Sequence, residues 1–360
     1  MAQSLSGARA SVAPTVAVHV AGEPTGFARR WIPLLESRGV NVLQVNCFGD
    51  DAIDRLKGAD ALMWHWSHSD ARAVLMARQL LASVEAAGKV VFPALSTGWH
   101  FDDKVGQKYL LEAIGAPLVP THVFVQRESA LAWIEQVAYP LVSKLRGGAG
   151  SQNVRLVRDV RSARAFVRRA FGRGIPPLDR TALLRDRFVR LARKPAMERP
   201  GLALRAIARW LVPSAVERVK GRESGYVYFQ DFLPGNRFDT RVVVIGGRAF
   251  GLRRFNRDGD FRASGSGKID YDASAIDPRC VEIAFAASRK LGAQCLAYDF
   301  VFDQTGAPLI VEVSYGFTSA AYDACEGFWT EDLAWHAGRV EPEAWMVDGI
   351  MAQITESEVV

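Results

Sequence analysis

The 360-residue chain holds only four cysteines, and none of them stands at Cys-x-x-Cys spacing. Cys47, Cys280, Cys295 and Cys325 are too scattered for a zinc site and too few, in a chain this long, for a disulfide framework. They fit reduced thiols and a cytoplasmic setting. No stretch approaches the roughly 18 uninterrupted apolar residues that a membrane span requires. Met1 to Pro14 is small, polar and rich in Ala and Ser; it lacks the apolar stretch of a signal peptide and reads as a frayed tail. Several catalytic signatures are missing as well. No Gly-x-Gly-x-x-Gly follows the first strand. Gly265-Ser-Gly-Lys268 fails as a P-loop, because Arg262 stands where the first glycine belongs and Ile269 replaces Ser/Thr. His65 and His68 have no Glu between them, which excludes the zinc-protease helix; with His100 they read as polar loop or partly buried residues. No Ser-His-Asp set sits on a recognisable elbow. No repeat with a period of roughly 20–50 residues is present.

What is present is ordinary for a globular protein: 49% apolar and 23% charged residues, in a length that accommodates two or three domains. The net charge of +6 is unevenly placed. Between Arg158 and Ser224 there are 18 Lys/Arg and 6 Asp/Glu, a local excess of +12 that leaves the remainder near −6. Apolar residues in this segment fall at helical intervals around Phe166, Val167 and Phe171, around Leu183, Phe188, Val189 and Leu191, and around Leu204, Ile207, Trp210 and Leu211. Pro176-Pro177, Pro195, Pro200 and Pro213 divide it into two to four basic helices. Three readings stand: an insertion covering a nearby site, a surface for an anionic polymer or membrane headgroups, or a nucleic-acid contact. The thin aromatic interleaving argues against the last.

The N-terminal third alternates strand and helix: strands at Val16–Val20, Val40–Val45, Ala61–Trp64 and Val90–Phe92, helices at Phe27–Ser37, Asp50–Leu56 and Ala71–Ala87. That alternation predicts a small parallel α/β domain. A helix at Asp103–Leu111 carries Lys104. The strand Pro140-Leu-Val-Ser-Lys144 runs into the turn Gly147-Gly-Ala-Gly-Ser151. Further strands are expected at Tyr226–Phe232, Arg241–Ile245, Ala249–Phe255, Ala297–Phe302 and Pro308–Ser314, with a helix at Pro278–Leu291 capped by Gly292.

Two features carry chemistry. A lysine that closes an apolar strand, followed by a glycine-rich turn whose backbone N–H groups are accessible, can meet phosphates; alone, such a turn is more often a hairpin loop. Asp299 and Glu312 each interrupt an apolar strand, where a carboxylate is costly unless it is paired or binds a cation. Mg²⁺ favours such oxygens together with substrate phosphates. Solvent exposure, or pairing with Arg241 or Arg254, would equally account for both acids.

In order, Tyr139-Pro-Leu-Val-Ser-Lys144, Phe229-Gln-Asp-Phe-Leu233, Asp239-Thr-Arg241, Arg254, Asp260-Phe-Arg-Ala-Ser264 and Asp299…Glu312-Val-Ser314 resemble the nucleotide site of the ATP-grasp superfamily, closest to its ribosomal-protein S6 glutamate-ligase-like branch. The resemblance spans roughly residues 14 to 318. It implies an α/β (α+β) ATP-grasp fold: an N-terminal parallel α/β domain (14–100), a lid subdomain (101–230) that includes the basic insertion 158–224, and a C-terminal mixed-sheet subdomain (231–360) with an aromatic tail. It also implies ATP with Mg²⁺ or Mn²⁺, and ligation of an acid to an amine through an acyl-phosphate. Lys104, Lys144, Gly147, Gly148, Gly150 and Ser151 match phosphate-facing positions. Gln230, Asp231, Phe232 and Leu233 match the adenine hinge, and Asp239 a position near the ribose. Arg241 and Arg254 match arginines facing the transferred phosphoryl group, and Asp299, Glu312 and Ser314 the metal-binding set. Ser264 and Ser314 stand where the family usually has Asn. A small-molecule kinase and a non-catalytic ATP-binding scaffold are the competing readings of the same fold. The tail from Tyr315 to Met346, dense in aromatics, reads either as packing against the sheet or as an acceptor pocket.

Overall fold

A computed structural model describes residues 13–21, 26–148, 153–180, 184, 201–203, 210–257 and 259–357. The first part alternates as expected: β1 (Thr15–His19), α1 (Ala28–Ser37), β2 (Asn41–Val45), α2 (Ala52–Arg55), β3 (Ala61–Met63), α3 (Ala71–Ala86), β4 (Val90–Phe92) and α4 (Leu95–Gly98). The strands form a parallel sheet in the order β2-β1-β3-β4. β1 and β3 are buried on both faces, which is why they read as continuous apolar runs rather than alternating ones.

Next come α5 (Lys104–Ala113), β5 (Thr121–Phe124), α6 (Arg127–Ile134), β6 (Leu141–Lys144), β7 (Arg155–Val157), α7 (Val160–Phe171), α8 (Ala215–Lys220) and β8 (Val227–Asp231). β5-β8-β6-β7 make a four-stranded antiparallel sheet. α6 and α7 pack on it around the fully buried Phe229. Of the helices expected in the basic segment, the one around Phe166–Phe171 is α7. A capping box between Asp159 and Ser162 starts it, and it buries Val167 on this small core. The helices expected around Leu183–Leu191 and Leu204–Leu211 fall almost wholly outside the described residues.

The last part contains β9 (Phe238–Ile245), β10 (Arg248–Phe255), β11 (Ile269–Asp270), α9 (Pro278–Leu291), β12 (Cys295–Phe302), β13 (Pro308–Ser314), β14 (Gly327–Thr330), β15 (Trp335–Ala337) and α10 (Pro342–Ser357). Its sheet runs β13-β12-β9-β10-β14-β15, with β11 on β10. The sequence suggested a mixed sheet, but the described strands pair antiparallel throughout. Tight turns such as Gly246-Gly247 between β9 and β10 permit no other pairing. Its parallel element is the isolated bridge of Leu118 to Ile310. Asp277 caps α9, Pro278 occupies its first turn, and Gly292 ends it in the left-handed conformation at φ 58°, which glycine adopts without strain.

Two hydrophobic cores result. The larger joins the parallel sheet to the C-terminal sheet; the smaller belongs to the β5-β8-β6-β7 sheet and its helices alone. The aromatic tail mostly packs: Trp345 and Tyr322 both meet Phe250, and Phe328 meets Trp345. All four cysteines are free and buried. No helix among the described residues is long and apolar enough to cross a membrane.

Candidate functional site

A cavity of about 510 Å³ lies between the β5-β8-β6-β7 sheet and the C-terminal sheet. One wall follows from strand register. Arg241 on β9 pairs with Asp299 on β12, which pairs with Glu312 on β13, so the three side chains stand in one row on one face. Two residues along β9, Asp239 pairs with Arg254 on β10 and shares that face. The β12–β13 register shifts just after Asp299, so Val311 is the extra residue of a bulge beside Glu312. Bulges commonly re-aim side chains next to functional sites.

The charges of this wall neutralise one another. Arg241 grips Asp299 through two bonds, Nε to Oδ1 at 2.6 Å and an Nη to Oδ2 at 2.7 Å. Arg254 does the same to Asp239 at 2.7 and 2.6 Å and reaches Asp299 at 2.8 Å. Burial would raise the Asp299 carboxyl, but the two arginines outweigh it and hold the group well below its ordinary range. Asp239 goes the other way: burial lifts it despite Arg254. Both arginines are raised, since their acidic partners outweigh burial. Tyr322 is buried beside them.

The facing wall is different. Lys144 ends β6, buried, and its Nζ donates to Gln230 Oε1 at 2.6 Å. Gln230 in turn donates to Thr121 Oγ1 at 3.0 Å. Among the described residues no carboxylate forms an ion pair with Lys144, and burial lowers its pKa to about 8. Lys104, in the first turn of α5 behind the N-cap Asp103, donates to Gly148 O at 2.8 Å and pairs with Glu312 at 2.9 Å. Burial alone would lower its pKa; Glu312 and Asp102 together raise it.

The structure thus brings most of the expected residues to one cavity. Lys104, Lys144 and Gly148 line it, as do the hinge residues Gln230, Asp231, Phe232 and Leu233. So do Asp239, Arg241, Arg254, Asp299, Glu312 and Ser314. Gly147 is not part of the lining, and Gly150 and Ser151 lie outside the described residues. The turn that was expected to offer bare N–H groups already holds carboxylates. The N–H groups of Arg146 and Gly147 donate to Glu223 at 3.0 and 3.3 Å, and that of Gly148 to Asp102 at 2.6 Å.

For a divalent cation the donor chemistry fits. Asp299 and Glu312 are directly opposed on neighbouring strands, and Ser314 follows two residues later with its hydroxyl donated to Gly316 O at 2.8 Å. Among the described residues no group of three or more His, Cys, Asp or Glu could hold a metal by itself. Phosphate oxygens would therefore have to complete the shell, which is the usual way Mg²⁺ is held.

Residues 217–322 match the family model described as the RimK-like ATP-grasp domain. Over that stretch the chain is similar to ATP-grasp proteins. Similar solved structures include a RimK domain ATP-grasp protein from Sphaerobacter thermophilus, at 19% identity and TM-score 0.53, covering 94% of this chain and 99% of that one. The D-cycloserine synthetase DcsG has 15% identity and TM-score 0.55, with 94% and 99% covered. An N5-carboxyaminoimidazole ribonucleotide synthetase from Thermotoga maritima has 13% identity and TM-score 0.56, with 94% and 76% covered. At these identities the likeness establishes the fold. No curated protein matches the chain.

Sequence reasoning missed several parts of this cavity. Asp102 adopts φ 57°, a left-handed conformation that Asp tolerates better than most residues, and joins Gly148 N to Lys220 Nζ. Its signal was an acid doublet just before the Lys104 helix. Glu223 and Tyr226 brace the turn from the far end of the basic segment, and Tyr226 Oη accepts from Arg146 N at 2.5 Å. No local pattern marks a contact across 80 residues.

Proposed function

We propose that the protein is an ATP- and Mg²⁺-dependent ligase that joins a carboxylic acid to an amine through an acyl-phosphate. One observation carries the reading: the Arg241–Asp299–Glu312 row lines a single cavity together with Lys144 and with Lys104, which touches the end of the row at Glu312. The segment 101–230 acts as the lid and 231–360 as the body. The hinge 230–233 holds the adenine, and Lys104 and Lys144 hold the phosphates. Asp299, Glu312 and Ser314 hold the metal, which supplies charge neutralisation on the phosphates.

In the first step a carboxylate oxygen attacks the γ-phosphorus, the bond to ADP breaks, and an acyl-phosphate forms. In the second, the amine nitrogen attacks the acyl carbon and inorganic phosphate leaves with one former carboxylate oxygen; the surplus amine proton passes to solvent. Arg241 and Arg254 hold the transferring phosphoryl group. Such transfer depends on positioning and electrostatics and needs no protein nucleophile, in keeping with the lack of a Ser-His-Asp elbow in the sequence.

Purified protein with MgATP and a panel of acids and amines tests this reading. ADP and phosphate released only when both an acid and an amine are present support it. ADP without phosphate, together with a phosphorylated product, would make the protein a kinase. Bound ATP with no ADP under any acceptor would make it a scaffold, a role for which the serines at 264 and 314 are the motive.

A further inference from the structure

A second cavity, of about 290 Å³, lies beyond the first. It opens at the carboxyl ends of β1 and β3, between the first turns of α1 and α3. The chain leaves β1 toward β2 on one side and β3 toward β4 on the other, so this crevice is the topological switch point of the parallel sheet, where open α/β sheets bind ligands. His65, Trp66 and Ser67 line both cavities and form the wall between them.

The floor of the lining is aromatic, with charge at its edge, where Arg72 lies over the Phe48 ring at 4.0 Å. His19 has both ring nitrogens engaged: Nδ1 accepts from Cys47 N at 3.1 Å, and Nε2 donates to the Ala21 carbonyl. Burial lowers its pKa, and its neutral ring stacks on Trp64 at 4.3 Å, with Phe48 edge-on. At the rim, Asp70 is occupied by Arg72 at 2.8 Å and caps α3. Arg29 is exposed and has no acidic partner among the described residues. In the shared wall, His65 stacks on Phe27 at 3.7 Å, and its Nδ1 accepts from Phe27 N at 3.2 Å, which leaves the proton on Nε2. That N–H faces Gly316 in the main cavity, where an added Cβ would sit 3.3 Å away.

We propose that the second cavity is the acceptor-amine site and that it selects an α-amino acid with an apolar or aromatic side chain. The side chain lies among Trp64, His19 and Phe48. Its carboxylate meets Arg29 at the rim. Its amino group points through the His65–Ser67 wall toward the cavity where the acyl-phosphate would form. This assignment rests on the ligase reading for its chemistry, but binding can be measured without turnover.

The full chain is titrated calorimetrically with L-phenylalanine, glycine, L-glutamate and 3-phenylpropionate, without ATP. Ala28→Trp fills the cavity, Arg29→Gln removes the rim charge, and ADP binding serves as the folding control for each variant. L-phenylalanine should bind at least about ten-fold more tightly than glycine or L-glutamate. Ala28→Trp should abolish that binding and Arg29→Gln weaken it roughly ten-fold. Equal affinity for glycine, equal affinity for 3-phenylpropionate, or unchanged phenylalanine binding in Ala28→Trp would each overturn the assignment. Selective phenylalanine binding with no ADP release under any acceptor would sink the ligase reading and leave the cavity's preference standing. ADP release whose amine dependence ignores Ala28→Trp would do the reverse.

Discussion

The two walls of the main cavity carry similar positive charge and treat it in opposite ways. On the sheet wall, Arg241 and Arg254 are held by Asp299 and Asp239 through short two-point contacts, so the wall is close to neutral before anything binds. On the lid wall, buried Lys144 meets only the amide oxygen of Gln230, and its proton is loosened to a pKa of about 8. A buried ammonium without a carboxylate is a deficit that an anion can fill. The lid wall is thus poised to take phosphate. Under the ligase reading the sheet wall would have to exchange partners: Asp299 would give up its arginines to hold a cation, which would free Arg241 and Arg254 for the transferring group. Strand register builds the first arrangement, and a single strand end builds the second.

The largest effect should come from the acid that joins the two walls. Glu312→Gln should lower metal-dependent ADP release by roughly 10²–10³-fold; unchanged turnover would remove Glu312 from the metal set. Next comes the sheet wall. Arg241→Met leaves Asp299 buried with only Arg254, and urea unfolding should show a loss of roughly 3–5 kcal/mol. Adding Asp299→Asn should restore much of that loss. If the single variant is as stable as the wild type, the wall is not built on that pair.

The lid wall should respond more mildly, and to pH. Nucleotide phosphates stabilise protonated Lys144, so above pH of about 8 binding must take up a proton, and ATP affinity should fall as pH rises through that value. Lys144→Met should weaken ATP about ten-fold at neutral pH and flatten this dependence. Folding stability should move in the opposite sense. The lysine pKa is depressed from 10.5 to about 8 on folding, so the folded state binds fewer protons between those values and gains stability as pH rises across them. The smallest effect belongs to the tie beneath the turn: Lys220→Met frees one side of Asp102, and exchange of the Gly148 amide should quicken by a few-fold.

Much of this was legible in the chain. Strands that are apolar except for one acid, Cys295–Phe302 and Pro308–Ser314, announced both the sheet and the carboxylates that mark its cavity face. Alternation of strand and helix announced the parallel sheet, and Pro278 with Gly292 fixed both ends of α9. The partners were less legible. The pairing of Asp299 with Arg241 and Arg254 was one of the alternatives the sequence left open; that both arginines clamp it, and that Lys104 takes Glu312, depends on which elements become neighbours. The pairing of Asp102 with Gly148 and of Glu223 with Arg146 joins residues 46 and 77 positions apart, beyond any periodic signal. The β14–β15 hairpin and α10 were hidden in the aromatic tail, because packing on Phe250 rather than local pattern selects their conformation.

The claim of acyl-phosphate chemistry has a direct test. The acid that gives the greatest amine-dependent ADP release is supplied with ¹⁸O in its carboxylate, and the released phosphate is weighed by mass spectrometry. One ¹⁸O atom should appear in each phosphate, because the acid's own oxygen makes the bond to phosphorus. Phosphate free of ¹⁸O would contradict the mechanism.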